Sequence, residues 1–166
     1  MEELEPIRIA QIIGKWLGGG VESVIMNYYR HIDRNKIQFD FFCDEDSTNI
    51  PYGEIEKLGG KVILIPPYQQ ILKYHKKLKR ELADRKYKIV HSHINTLSVF
   101  SLFAAKCADV PVRIAHSHST TNKKEKKNSK KTNENLENVI DAFPLINKLK
   151  GSATYVLLEN DLPDIF

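Results

Sequence analysis

A strand-like run, Ile7–Ile13, ends at a loop carrying Gly18, Gly19 and Gly20, and helical spacing of apolar residues resumes at Val21. A strand that feeds a helix through adjacent glycines builds a place for an anion. The glycines let backbone come close to a phosphate, and the first helical turn offers unpaired N–H groups at the positive end of its dipole. The three glycines are contiguous, so this is not the dinucleotide fingerprint G-x-G-x-x-G. No Gly-Lys-Ser/Thr follows, so it is not a P-loop. The competing reading is a tight strand-to-helix turn without a ligand.

The rest of the chain repeats the alternation. Val21, Val24, Ile25, Tyr28, Tyr29 and Ile32 recur at helical spacing. Ile37–Cys43 reads as a second strand, Pro51 opens a short helix, and Gly59-Gly60 closes it. Lys61–Ile65 is a third strand, and Ile71, His75, Leu78 and Leu82 stripe a third helix. Lys88–His91 is a fourth strand. Asn95 or Thr96 can cap a fourth helix, and Val112–Ala115 is a fifth strand. Short Ile- and Val-rich runs separated by helices specify an α/β domain with a Rossmann-like, doubly wound, mainly parallel sheet. Ligands of such sheets bind beyond the carboxyl ends of the strands. That brings 14–20, 91–95 and 116–120 to one rim.

The 166 residues fit one domain, and 42% hydrophobic with 28% charged residues suits a globular chain. No apolar run approaches the roughly 20 residues of a membrane span. The start, Met1-Glu2-Glu3-Leu4-Glu5, lacks the form of a signal peptide. Cys43 and Cys107 form no disulfide framework, which suits a reducing cytosol. Residues 1–118 form the domain core. Residues 119–135 have no aliphatic or aromatic side chain and carry six lysines, so a mobile loop is expected there. In 136–166, Leu136, Val139, Ile140 and Phe143 suggest a helix interrupted by Pro144, and Ala153–Leu158 a last strand.

Strand four ends His91-Ser92-His93 and strand five ends His116-Ser117-His118. Residues i and i+2 of a strand share a side, so each pair presents two imidazoles together. Two such pairs invite a metal reading, but no Asp or Glu stands near either pair, and no metal is expected. Isolated structural histidines are the plain alternative. Recognition of a hydroxylated or phosphorylated ligand, with one histidine relaying a proton, is the third reading.

The Gly-Gly-Gly-Val-Glu turn, Ile89-Val90-His91-Ser92-His93 and Pro111-Val112-Arg113-Ile114-Ala115-His116-Ser117-His118-Ser119 together resemble the N-terminal domain of GT-B glycosyltransferases. They are most similar to family-4 retaining enzymes of bacterial exopolysaccharide and capsule synthesis, over about residues 6–130. The resemblance implies two Rossmann-like domains facing across a cleft, with the acceptor on the N-terminal side and a nucleotide sugar, as co-substrate rather than cofactor, on the other. It implies that Gly18, Gly19 and Gly20 lie against the donor diphosphate. Glu22, His91, His93, Asn95, Ser117 and Ser119 would line the acceptor cleft. His116 and His118 would sit by the reacting groups, either one matching the family's cleft histidine. A glycan or lipid-linked acceptor is implied. So is cytoplasmic placement, with weak contact to the inner membrane face through Lys123, Lys124, Lys126, Lys127, Lys130 and Lys131.

The sequence also departs from the family. No two glutamates stand eight apart, so the donor domain's E-x7-E motif is absent. A truncated or split transferase is therefore expected, inactive alone; in the split case a separate chain supplies the donor site. Three rivals remain. A non-catalytic nucleotide- or polyanion-binding module needs only the glycines and lysines. Nucleic-acid binding through 123–131 is disfavoured because no aromatics interleave with the lysines. A dehydrogenase would use Asp40 on a ribose, but Phe41 and Phe42 place that acid inside strand two rather than at its end.

Overall fold

The computed structural model describes residues 5–118 and the strand 154–158. Ser119, the lysine-rich 119–135 segment, the helix expected from Leu136 and the tail after 158 lie outside the described residues. Six strands form one sheet: β1 (Ile7–Gly14), β2 (Ile37–Asp44), β3 (Lys61–Ile65), β4 (Ile89–Ser92), β5 (Val112–Ser117) and β6 (Thr154–Leu158). Their order is β3-β2-β1-β4-β5-β6, and every pairing is parallel. The order reverses at β1, where β2 lies on one side and β4 on the other. Among the described residues the helices are α1 (Gly20–His31), α2 (Tyr52–Lys57), α3 (Ile71–Asp84) and α4 (Ser98–Cys107).

Strand alternation sends successive side chains to opposite faces and divides the core in two. On one face Phe39, Phe41 and Cys43 of β2 pack with Ile25, Met26 and Tyr29 of α1 and Ile55 of α2. On the other face Ala10, Ile12, Phe42, Ile63 and Val90 meet Tyr74, Leu78 and Leu82 of α3 and Leu102, Ala104 and Ala105 of α4. The doubly wound parallel sheet expected from the alternation is present.

Helix α4 starts differently from the sequence reading. A single 3-10 turn, Asn95–Leu97, precedes it, and no side chain caps it. Asn95 has φ +49° and accepts the His118 backbone N–H through Oδ1 at 2.8 Å. Its amide joins β4 to β5 instead of starting a helix.

Asp40 lies within β2, 1% exposed, so it is no ribose ligand. Arg8 grips both of its oxygens, at 2.7 and 2.5 Å, while the Tyr87 hydroxyl donates at 2.7 Å and the Lys61 N–H at 3.0 Å. A buried carboxylate survives only with such compensation. Asp40→Ala therefore strands the guanidinium and phenol, and should cost about 3–5 kcal/mol in urea unfolding. A loss below about 1 kcal/mol would mean that the network contributes little to stability.

Candidate functional site

The glycine turn follows β1 directly. Gly14 has φ +75°, and a Cβ there would come within 2.8 Å of Ile94 Cγ2, so the strand end touches the loop after β4 only because residue 14 has no side chain. Gly18 holds a second left-handed φ, +81°. Gly19 is extended, with φ −82°, and leads into α1, whose N-terminus no side chain caps. The positive φ of the turn thus belongs to Gly18, and a Cβ at Gly20 would meet nothing within 4 Å. The loop is tied to the segment after β2: Ser47 Oγ accepts the Trp16 N–H at 2.9 Å, and Asn49 Nδ2 donates to the Leu17 carbonyl at 3.1 Å.

Glu22 does not face an open cleft. It is 8% exposed, and its Oε1 accepts the Leu17 N–H at 2.9 Å. The carboxylate braces the turn from inside and puts a negative charge beneath it.

The four histidines gather on the α1 face, at the carboxyl ends of β4 and β5. Ring centroids are 4.0 Å apart for His91–His93 and for His116–His118, and 5.2–5.4 Å apart for the cross-strand pairs. Gln11, Val24, Ile25, Tyr28 and Phe39 complete a small hollow of about 60 Å³ around them. Gln11 lies opposite His91 in the β1–β4 ladder, 2% exposed. Its Oε1 sits 2.7 Å from His93 Nε2, and His93 Nδ1 sits 2.9 Å from His118 Nε2. With an amide oxygen as acceptor, His93 is protonated on Nε2. Its Nδ1 then accepts the Nε2–H of His118, which leaves Nδ1 as the basic nitrogen of His118. Burial, reinforced by the neighbouring imidazoles, pushes His91 down to about 4 and His93 well below its ordinary value. Both are neutral at pH 7.

Nitrogens of His91, His93 and His116 lie within 4.8 Å of one another, a competent imidazole set for a divalent ion. His93, however, uses both nitrogens on Gln11 and His118, and no carboxylate joins this group among the described residues. The acidic residues after β2 line a different hollow, on the opposite face. Ser117 lies half-buried at the end of β5. The structure therefore brings together His91, His93, Asn95, His116 and His118, while Glu22 supports the glycine turn. Nothing in the sequence pointed to Gln11 except its being an amide within the apolar run Ile9–Ile13.

Neutral buried imidazoles make stability depend on pH. Folded pKa values below the unfolded one mean that the unfolded chain binds more protons between about pH 4 and 6.5, so stability falls as pH falls through that window. Melting temperature should drop on acidification from pH 7 to 4.5. The drop should shrink by about 3 °C or more in His93→Gln. An unchanged acid slope in that variant would show that His93 is not buried in its neutral form.

With this geometry, comparisons with known proteins are informative. The family model described as Glycosyltransferase Family 4 matches residues 18–144. The protein described as "Putative glycosyltransferase EpsF" of Bacillus subtilis (strain 168) is 32% identical over 117 residues, 69% of this chain and 30% of its own length. The chain thus spans about a third of that relative. Acinetobacter baumannii MurG has the same fold, with a TM-score of 0.58 at 13% identity, covering 97% of this chain and 43% of MurG. The sheet with its glycine turn and histidine rim is a Rossmann-like GT-B half-domain, and the chain belongs to glycosyltransferase family 4.

Proposed function

We propose that this chain forms the acceptor-facing half of a nucleotide-sugar-dependent transferase that acts with retention in polysaccharide or exopolysaccharide synthesis. The observation that carries this reading is the Gln11–His93–His118 chain at the point where strand order reverses, beside an uncapped helix N-terminus. Ligands of doubly wound sheets collect at such reversals. Gln11 fixes the His93 tautomer and His93 orients His118. The basic Nδ1 of His118 then holds a hydroxyl of the acceptor or of the sugar in transfer, with His116 and His91 behind it. Gly18–Gly20 give the donor diphosphate a close backbone approach. Glu22 shapes that turn and does not contact ligand.

The chemistry needs a nucleotide sugar and a hydroxylated acceptor, with no resident cofactor or metal. The donor-binding half completes the site, and residues 1–166 assayed on their own should give no transfer above background. No helix among the described residues is long and apolar enough to cross a membrane. A contact of Lys123–Lys131 with an anionic surface rests on composition alone.

The test is an amide chemical-shift titration with UDP. Half a cleft buries little of a ligand, so affinity should be on the order of millimolar. Shifts should centre on Gly18, Gly19 and Gly20. Gly20→Val should remove them without unfolding the chain, because a side chain there meets no protein atom but fills the approach. No response of these amides, or an unchanged one in Gly20→Val, would refute the diphosphate placement. Purified chain should hold less than about 0.1 equivalent of zinc or manganese, whereas one tight ion lost in His91→Ala would replace the hydroxyl-binding role of the histidines with a metal centre.

A further inference from the structure

A second hollow, of about 350 Å³, opens at the same rim on the other face of the sheet, among Lys15, Asp44, Tyr68, Gln70, Tyr74 and Ile94. Its chemistry is unlike that of the histidine site. Asp44 ends β2, is 6% exposed, and its carboxylate has no hydrogen-bond donor among the described residues. Lys15, the one cation on the wall among the described residues, is paired with Asp46 at 2.6 Å. The Tyr74 hydroxyl, on a side chain 1% exposed, faces the Ser101 hydroxyl at the back of the hollow. The neighbouring hydroxyl of Ser101 is engaged by Ser92 and by the Ser98 carbonyl. Polar groups held so far from solvent are normally satisfied, and an Asp44 carboxylate without a donor on the wall of a hollow needs an explanation.

The walls suggest one. Tyr68 is half-buried and stacked on Phe100, with centroids 6.0 Å apart, so an aromatic ring is held rigidly at the edge of the hollow. Gln69 and Gln70 add exposed amides. A carboxylate that can accept two hydroxyls, a phenol, two amides and an aromatic face match a pyranose, whose edge is polar and whose face is C–H. Two carboxylates and a neutralised lysine do not match a phosphate or a uronate. The loop after β4 joins the two sites: Ile94 lines this hollow, and the next residue, Asn95, holds the His118 N–H.

We infer that this hollow receives a neutral glycosyl unit of the acceptor, held by Asp44 and Tyr74, and that these residues select against anionic sugars. The inference rests on the transferase reading above. Keeping Asp44 unpaired has a cost that supports it. Burial first, then Asp46, with Lys15 opposing, pushes its carboxyl up to about 6. A carboxyl raised above its unfolded value loses stability as pH rises from about 4 to 6, the sign expected of a group kept for a ligand rather than for the fold.

The test is an amide-shift titration of the full chain with methyl glycosides of glucose, galactose and N-acetylglucosamine, against glucuronate and glucose 6-phosphate. At least one neutral glycoside should shift the Asp44, Gln69 and Gln70 amides and bind about tenfold more tightly than either anion. Asp44→Asn should weaken that binding about tenfold while raising the melting temperature at pH 7 but not at pH 4. Tyr74→Phe should weaken it while leaving the fold intact. Binding to the wild type should fall below about pH 6 as Asp44 protonates, and should be flat in Asp44→Asn; Lys15, Asp46, Tyr68 and Tyr74 are the other ionisable groups lining the hollow among the described residues. Silence of these amides with every neutral glycoside, equal binding of the anions, or undiminished binding in Asp44→Asn overturns the inference. UDP shifts at Gly18–Gly20 with a silent hollow would overturn this inference alone. A responsive hollow with silent glycines would leave it standing and refute the donor placement.

Discussion

The parallel ladder between β1 and β4 sets Gln11 opposite His91 and Ile12 opposite Ser92, and it ends where the Ile12 carbonyl accepts the His93 N–H at 2.9 Å. Both sides of the rim depend on this pairing. On one face it brings an amide from β1 to an imidazole of β4, which then orients an imidazole of β5. On the other it lets Ile94 lie against Gly14, beside the hollow that Asp44 lines. A slip of one residue would turn Gln11 and Ile12 to opposite faces, leaving a buried amide in the aliphatic core and the histidine without its acceptor. The apolar neighbours Ala10 and Ile12, fully buried against the opposite layer, prevent the slip.

Three buried polar groups in this small sheet differ in a way that separates scaffold from site. Asp40 is bonded by Arg8, Tyr87 and the Lys61 backbone, so its charge is compensated within the protein. His93 is bonded at both nitrogens but within a chain that leads to the rim. Asp44 is nearly as buried as Asp40, yet its carboxylate has no hydrogen-bond donor among the described residues. An unsatisfied buried polar atom costs roughly 1–3 kcal/mol. A fold that satisfies Asp40 so fully does not leave Asp44 bare for want of donors: Lys15 is close enough to lower the Asp44 pKa, yet it bonds Asp46.

The sheet was legible because its signal is local. Runs such as Lys61–Ile65, bounded by glycines and prolines, can only be short strands between turns, and β3 has those bounds. The histidine rim was legible because two H-x-H repeats sit at strand ends, where spacing alone fixes a common side. Pair-specific chemistry was not legible. Gln11 and His93 are 82 residues apart, and only the register of β1 against β4 joins them. Asn95 read as a helix cap because Asn favours that position. A left-handed φ and a distant backbone N–H drew it elsewhere, which is a tertiary override of a local preference. The strand expected over Ile37–Cys43 stopped one residue short of Asp44. One further residue of β2 turned it from solvent into a wall, and sequence periodicity does not resolve element ends to one residue.

On the proposed reading, the glycine turn also bears on where the charge for catalysis would come from. A helix N-terminus presents about half a positive charge, and that field fades within the first turn. Here a full negative charge, that of Glu22, sits inside the same turn and bonds the Leu17 N–H. The Gly18–Gly20 surface therefore offers a diphosphate a close backbone approach but little net attraction. Departure of a nucleoside diphosphate needs donors and positive charge organised in advance. Lys15, the nearest cation in sequence, is paired with Asp46. In the proposed transferase this face would supply shape, hydroxyl recognition and an oriented imidazole. On that reading the stabilising charge would approach from the opposite side of the ligand, a division of labour between two facing half-domains.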